Sequence, residues 1–184
     1  HLERAQGFVE WCKEELGLNG EAFDSMEACC KKGDIVSVAA SPKDPLFFED
    51  AWFKEGATIL CTSPFEADDA FWLKNKIVFD NTKMHEAYYT EGEELGDVRK
   101  ACNGWGKMYS LMAGGRMKGL DQQISLGDVV VDPSLGRQNP KDKEIFVTSG
   151  QVLFDVAWGK RLYEEAKRQG IGQNLVLWDE PYWT

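Results

Sequence analysis

The sequence predicts an α/β protein: a parallel sheet with helices on its flanks. Three observations carry that expectation. The runs "DIVSVAA" (34–40), "ATILCTS" (57–63) and "KIVFDN" (76–81) are continuously apolar, the pattern of parallel strands buried on both faces. A loop with a short helical turn around 46–53, and a helix from Asp68 to Asn75, separate them at the spacing of βαβ units, whose crossovers are right-handed. A fourth run, "EIFVTSG" (144–150), leads directly into a stretch with Val152, Val156, Gly159, Tyr163 and Ala166 on one helical face.

The remaining elements follow in chain order. Leu2, Ala5, Val9, Cys12 and Leu16 recur at helical spacing, and "GLNG" (17–20) supplies glycines where that helix should stop. A short strand at 21–23 and a small helix capped by Asp24 or Ser25 and ending in "CCKKG" come next. Beyond residue 81, "KMHEAYYTEGEE" (83–94) and "GWGKMYSLMAGG" (104–115) read as helices, the second with Trp105, Met108 and Met112 on one face. "SLGDVVVDPSLGRQNPKDK" (125–143) is a short helix and a polar loop, and the tail "NLVLWDEPYW" (174–183) is strand-like and aromatic. The division expected is a partial nucleotide-binding domain over 1–150, followed by a C-terminal helix and tail over 151–184.

Composition narrows the function. With 43% hydrophobic residues and an ordinary 28% charged, the chain can bury a core and is not of disordered composition. Its formal charge of −10 repels phosphate backbones and anionic membrane surfaces, so neither nucleic acid nor membrane is an expected partner. The five cysteines (Cys12, Cys29, Cys30, Cys61, Cys102) show no C-x-x-C spacing and there are only two histidines, so reduced thiols and no zinc site are expected. Sequons, a signal segment and long apolar runs are missing from the sequence, which favours a cytoplasmic location.

The candidate site lies where the strands end. In open parallel sheets ligands bind at the carboxyl ends of strands. Ala39, Ala40 and Ser41 end one strand, Cys61, Thr62 and Ser63 the next, and Thr148, Ser149 and Gly150 a third. Small residues at three such edges let a flat or phosphorylated ligand approach the main chain, and Thr148 and Ser149 stand at the start of a long helix whose N-terminal dipole would face the same rim. The sheet is an incomplete Rossmann-type one, because a glycine-rich dinucleotide turn is missing: "AGGRMKG" (113–119) follows a helix, not a strand. The chain, opening abruptly inside a helix, reads as a fragment.

The motifs "GDIVSVAAS", "FKEGATI", "EADD" before a helix, "GR" at 136–137 and "EIFVTSGQVLFDVAWGKRLYEEAKRQGIG" occur in the order and spacing in which the chain resembles the ornithine cyclodeaminase / μ-crystallin family. The resemblance covers nearly the whole chain, and its last block, similar to the family's F-x-S-x-G…D…A…Y…A…G-x-G, is the most specific part. It implies a nicotinamide cofactor, NAD or NADP, an amino- or imino-acid substrate and a homodimeric full-length protein. Ala39, Ala40, Ser41, Cys61, Thr62 and Ser63 would lie near the ribose and nicotinamide, and Thr148 with Gly150 near the carboxamide. The family's substrate-binding arginine and lysine, its glycine-rich turn and the residue that separates NAD from NADP would lie upstream of His1, and the tail would return to a substrate and dimerisation domain. One departure matters. Where cyclodeaminases carry a Gly-Gly-Asp-type loop with an aspartate on the substrate amino group, this chain has the shorter "CTSPFEADD", with Glu66 as the nearest carboxylate.

Deaminating cyclisation, amino-acid dehydrogenation and imine reduction therefore all stay open, the last two favoured by the shortened loop. The catalytic residues are left unassigned. The rival expectation is a catalytically silent relative that binds a ligand or partner. Single residues carry structural expectations: His85 on the surface or half-buried face of a helix, Arg137 holding a loop, Asp68, Asp69, Asp128 and Asp132 as caps, and Asp155 packing on its helix.

Overall fold

A computed structural model describes residues 2–40, 46–63, 65–101, 105–176 and 178. They form two compact units, 1–149 and 150–184. In the first, α1 (Leu2–Leu16) ends at Gly17, whose φ of 66° no side-chain-bearing residue adopts easily. α2 (Met26–Lys32) is capped by Ser25, whose hydroxyl accepts the Ala28 N–H. The strands are β1 (Ile35–Val38), β2 (Leu46–Phe48), β3 (Thr58–Cys61), β4 (Phe65–Ala67), β5 (Lys76–Phe79), β6 (Ile124–Ser125) and β7 (Glu144–Val147). Among them run α3 (Asp69–Lys74), α4 (Thr82–Glu94), α5 (Gly106–Ala113) and α6 (Leu126–Val131). The second unit holds α7 (Val152–Gln169), closed by Gly170 in the left-handed conformation.

The main sheet is parallel throughout, in the order β1-β3-β7-β5-β6. Its register builds the core. Ile59, Ile145 and Ile77 align across three strands, as do Cys61, Val147 and Phe79, and Val38 extends the second row onto β1. All seven are buried, packed with Phe71 and Trp72 of α3, Met108 and Tyr109 of α5, and Trp105. Phe65 stands at the centre of the aromatic cluster, 5.6 Å from Phe71, 5.8 Å from Trp72 and 5.9 Å from Trp105 between ring centroids.

Several expectations are corrected. β3 alternates in burial and is not covered on both faces; β7 alternates in the same way. On their second face Thr58, Leu60, Glu144 and Phe146 line an open cavity of about 270 Å³ with Val78 and α6's Leu126 and Val129. β1 is not central, and Ile35 is 68% exposed, because among the described residues β1 pairs only with β3. Residues 46–48 form β2, not helix; β2 pairs with β4 in a separate two-stranded sheet, and only 50–52 make a helical turn, of the 3₁₀ kind. Residues 21–23 and 174–176 are not strand, and the rest of the expected tail strand, Trp178 apart, lies outside the described residues. α7 begins at Val152 with Gln151 as its N-cap, so Thr148 and Ser149 precede its first turn.

Candidate functional site

The strand order sets four carboxyl ends side by side. Ala39 and Ala40 follow β1, Thr62 and Ser63 follow β3, Thr148 and Ser149 follow β7, and Asp80 follows β5. Ala39 and Thr62 are exposed, Ala40, Thr148 and Ser149 half-buried and Ser63 buried. Main-chain bonds tie the row together: Thr62 N–H donates to Val38 O at 3.1 Å, Thr148 N–H to Cys61 O at 3.1 Å, and Asp80 N–H to Val147 O at 2.9 Å. The Thr62 hydroxyl adds a second bond to Val38 O at 2.7 Å.

The residues named from sequence divide accordingly. Ala39, Ala40, Thr62, Ser63 and Thr148 stand on this rim, whereas Ser41 lies outside the described residues. Cys61 closes β3 with its side chain in the core, where burial pushes the thiol well above its ordinary range. Only its main chain reaches the rim. Gly150, with φ 79°, opens the second unit.

Beneath the β5 and β7 ends sits a polar cluster that sequence reasoning did not assemble. Asp80 Oδ2 accepts the Thr148 hydroxyl and the Ser149 N–H, both at 2.9 Å, and Oδ1 accepts the Asn81 N–H at 2.7 Å. His85, 0% exposed, places Nε2 3.4 Å from Asp80 Oδ1 and 3.5 Å from Ser149 Oγ, and Nδ1 2.9 Å from the Tyr109 hydroxyl. Trp105 Nε1 donates to Ser149 Oγ at 3.2 Å. Burial of Asp80 disfavours its charge, but the donors from His85, Ser149, Thr148 and Asn81 prevail and hold the carboxyl below the usual carboxylate range.

His85 thus departs from the surface or half-buried position its helix suggested. A signal for its burial existed: His85, Tyr88, Tyr89 and Gly92 fall at i, i+3, i+4 and i+7, the stripe α4 turns inward. Gly92 is part of that packing, since a Cβ there would lie 2.7 Å from Val98 Cα.

The other singled-out residues have structural work. Arg137 donates to Gly56 O at 2.6 Å, Ala57 O at 3.3 Å and Thr58 Oγ1 at 2.6 Å, holding its loop against the start of β3. Asp68 caps α3 through the Phe71 N–H, and Asp69 in its first turn pairs with Lys107 and Arg116. Asp128 and Ser125 form a capping box on α6, and Asp132 caps the following turn. Glu66 lies in β4 opposite Phe47, and Asp155 in the first turn of α7. Among the described residues no three His, Cys, Asp or Glu side chains gather as a metal site requires, and no helix is long and apolar enough to cross a membrane.

An all-parallel sheet with its candidate site on the carboxyl edge defines a Rossmann-like α/β protein. The chain belongs to the ornithine cyclodeaminase/mu-crystallin family, whose sequence model matches residues 2–170. Among similar proteins are a Delta(1)-pyrroline-2-carboxylate reductase of Bacillus cereus, 21% identical over 173 residues, and an alanine dehydrogenase of Archaeoglobus fulgidus, 24% identical over 176. The alignments cover 94% and 93% of this chain but 50% and 48% of the relatives, so the chain spans about half the length of the curated relatives it matches. The fold is shared with the Thermococcus litoralis Delta(1)-pyrroline-2-carboxylate reductase solved with NADH and L-proline (TM-score 0.71, 23% identity). That match covers 95% of this chain and 50% of the other. It is also shared with the iminosuccinate reductase of Paracoccus denitrificans solved with NAD+ (TM-score 0.66, 22% identity, 96% and 50% covered).

Proposed function

We propose that this chain forms the nicotinamide-side part of an NAD(P)-dependent enzyme that interconverts an amino acid and its imine. The observation that carries the proposal is the continuous rim of Ala39, Ala40, Thr62, Thr148 and Ser149, drawn from three strands adjacent in the sheet. The residues fit such a group. Exposed Ala39 and half-buried Ala40 leave backbone within reach of a flat ring, and Thr62 and Thr148 bring hydroxyls to its border.

When bound, a nicotinamide exchanges hydride with the substrate carbon that bears nitrogen. The chain's own contribution is to hold that rim in one shape, through the Thr62–Val38 and Thr148–Asp80 bonds, and to keep it on a water-excluding core. Similarity to reductases and to an alanine dehydrogenase supports imine reduction or its reverse over deaminating cyclisation. The "CTSPFEADD" segment agrees, because Glu66 is committed to β4. On this reading the full protein works in the cytoplasm as a homodimer, with NAD or NADP and a small amino or imino acid.

Titration of the 184-residue protein with NADH and NADPH tests the proposal. Saturable energy transfer from tryptophan to reduced nicotinamide, weakened in Trp105→Phe, is expected. Absence of transfer with both cofactors would refute cofactor binding and leave the second reading, a catalytically silent relative that binds a ligand or partner. The same "CTSPFEADD" loop favours that reading.

A further inference from the structure

We propose that His85 is a positioning residue for the carboxyl end of β7, acting through Asp80; the inference rests on the nicotinamide reading only for its effect on cofactor affinity. The geometry is a relay of contacts in the core. Asp80 accepts from both the Thr148 hydroxyl and the Ser149 amide, and through them helps fix where the rim's central strand ends. Something must fix Asp80 in turn. Asn81 N–H holds Oδ1 from the chain side, and His85 Nε2 approaches the same oxygen from α4.

The ring has little freedom. It packs 4.8 Å from Phe79, 6.1 Å from Tyr88 and 6.3 Å from Tyr109 between centroids, and its two nitrogens have different partners. In the neutral imidazole, ionised Asp80 selects the tautomer with hydrogen on Nε2, and Nδ1 then accepts the Tyr109 hydroxyl. Tyr109 comes from α5, so three elements converge on one carboxylate: α4 by His85, α5 by Tyr109 behind it, and β7 by the two groups it holds. A histidine that served only to fill space would be replaceable by a hydrocarbon of similar size. One that positions Asp80 would not, because removing its donor frees the carboxylate to rotate off Ser149.

The test compares His85→Leu with His85→Gln, whose amide can still donate toward Asp80, by site-resolved hydrogen exchange and NADH titration. In His85→Leu the Ser149 amide should exchange roughly two- to tenfold faster while Ile145, within β7, is unchanged, and NADH affinity should fall by a similar factor. His85→Gln should restore both. Equal acceleration at Ser149 and Ile145, unchanged Ser149 exchange in folded His85→Leu, or His85→Gln behaving as His85→Leu would each overturn the assignment and leave a packing role. Should His85→Leu not fold, Tyr109→Phe is read in the same way: faster Ser149 exchange alone supports the relay and unchanged exchange refutes it. Should the wild-type protein bind no NADH, the nicotinamide reading fails, while Ser149 exchange still decides the role of His85.

Discussion

Replacing Asp80 by alanine should strongly destabilise this protein. Its carboxylate is 6% exposed and satisfies the Thr148 hydroxyl and the Ser149 and Asn81 amides, with His85 Nε2 at 3.4 Å. Each hydrogen bond to a charged group contributes about 1.5–3 kcal/mol, and the donors share one acceptor, so their losses overlap and do not sum. A total of about 3–5 kcal/mol, that of leaving several partly buried donors without their charged acceptor, is expected. For a chain of this size that lowers Tm by roughly 6–20 °C. Urea unfolding followed by circular dichroism measures it, and Asp80→Asn, which keeps one acceptor oxygen, should fall between alanine and wild type. The charge has its own signature. Because the folded state holds the Asp80 carboxyl below its ordinary value, its contribution is fully present above the unfolded pKa of about 3.9 and is lost as pH falls below that toward the depressed native value. The difference between wild type and Asp80→Asn should narrow over that acidic window. A loss under about 1 kcal/mol in Asp80→Ala, or a difference that widens with acid, would refute the network as described.

Three further expectations follow from particular contacts. Arg137→Ala should destabilise by about 1–3 kcal/mol in urea titration, since Gly56 O, Ala57 O and Thr58 Oγ1 lose their donor, yet it should leave NADH affinity within about twofold. Gly92→Ala drives a methyl to within 2.7 Å of Val98 Cα, a backbone atom that cannot turn aside, and should cost about 1–3 kcal/mol, seen as a lower Tm. In thiol labelling read by peptide mass, exposed Cys29 should react in the native protein. Cys30, pushed up to about 11 by burial and then by neighbouring Cys29, and Cys61, higher still, should react only on unfolding.

How much of this could be read from the chain depends on how far apart the deciding residues lie. β1, β3, β5 and β7 were legible as apolar runs; so were the caps at Ser25 and Asp68, whose signal spans one helical turn. β2, β4 and β6 were not, since two or three residues define no period and only their partners make them strands. Burial on both faces was read into β3 from its continuous apolar run, but its Leu60 lines a cavity, together with Phe146 of β7; apolar composition reports what a strand could bury, not what covers it. The rim was legible as three separate edges, its contiguity was not, because strand order is a property of the sheet. Asp80 was read only as part of the strand run 76–81 for the same reason. Its partners are 68 and 69 positions away in sequence.

The position of β7 explains why those distant partners matter. β7 is the last strand among the described residues, yet it is inserted between β3 and β5, where it joins both rows of the core. Until it arrives, Cys61 O and the Asp80 N–H have no strand between them to bond, and the Asp80 carboxylate has neither Thr148 nor Ser149 to accept from. The central edge of the rim, with one flank on Thr62 and the other on Asp80, is therefore made by long-range contacts whose loop-closure entropy must be met before any of them forms. A polar network at that point has a consequence that apolar packing lacks: its donors and acceptors match in one register only. Moving β7 by one residue would turn Val147 out of the core and leave Asp80 facing the wrong main-chain groups. The same carboxylate that shapes the candidate site thus also selects the register of the strand at the middle of the sheet.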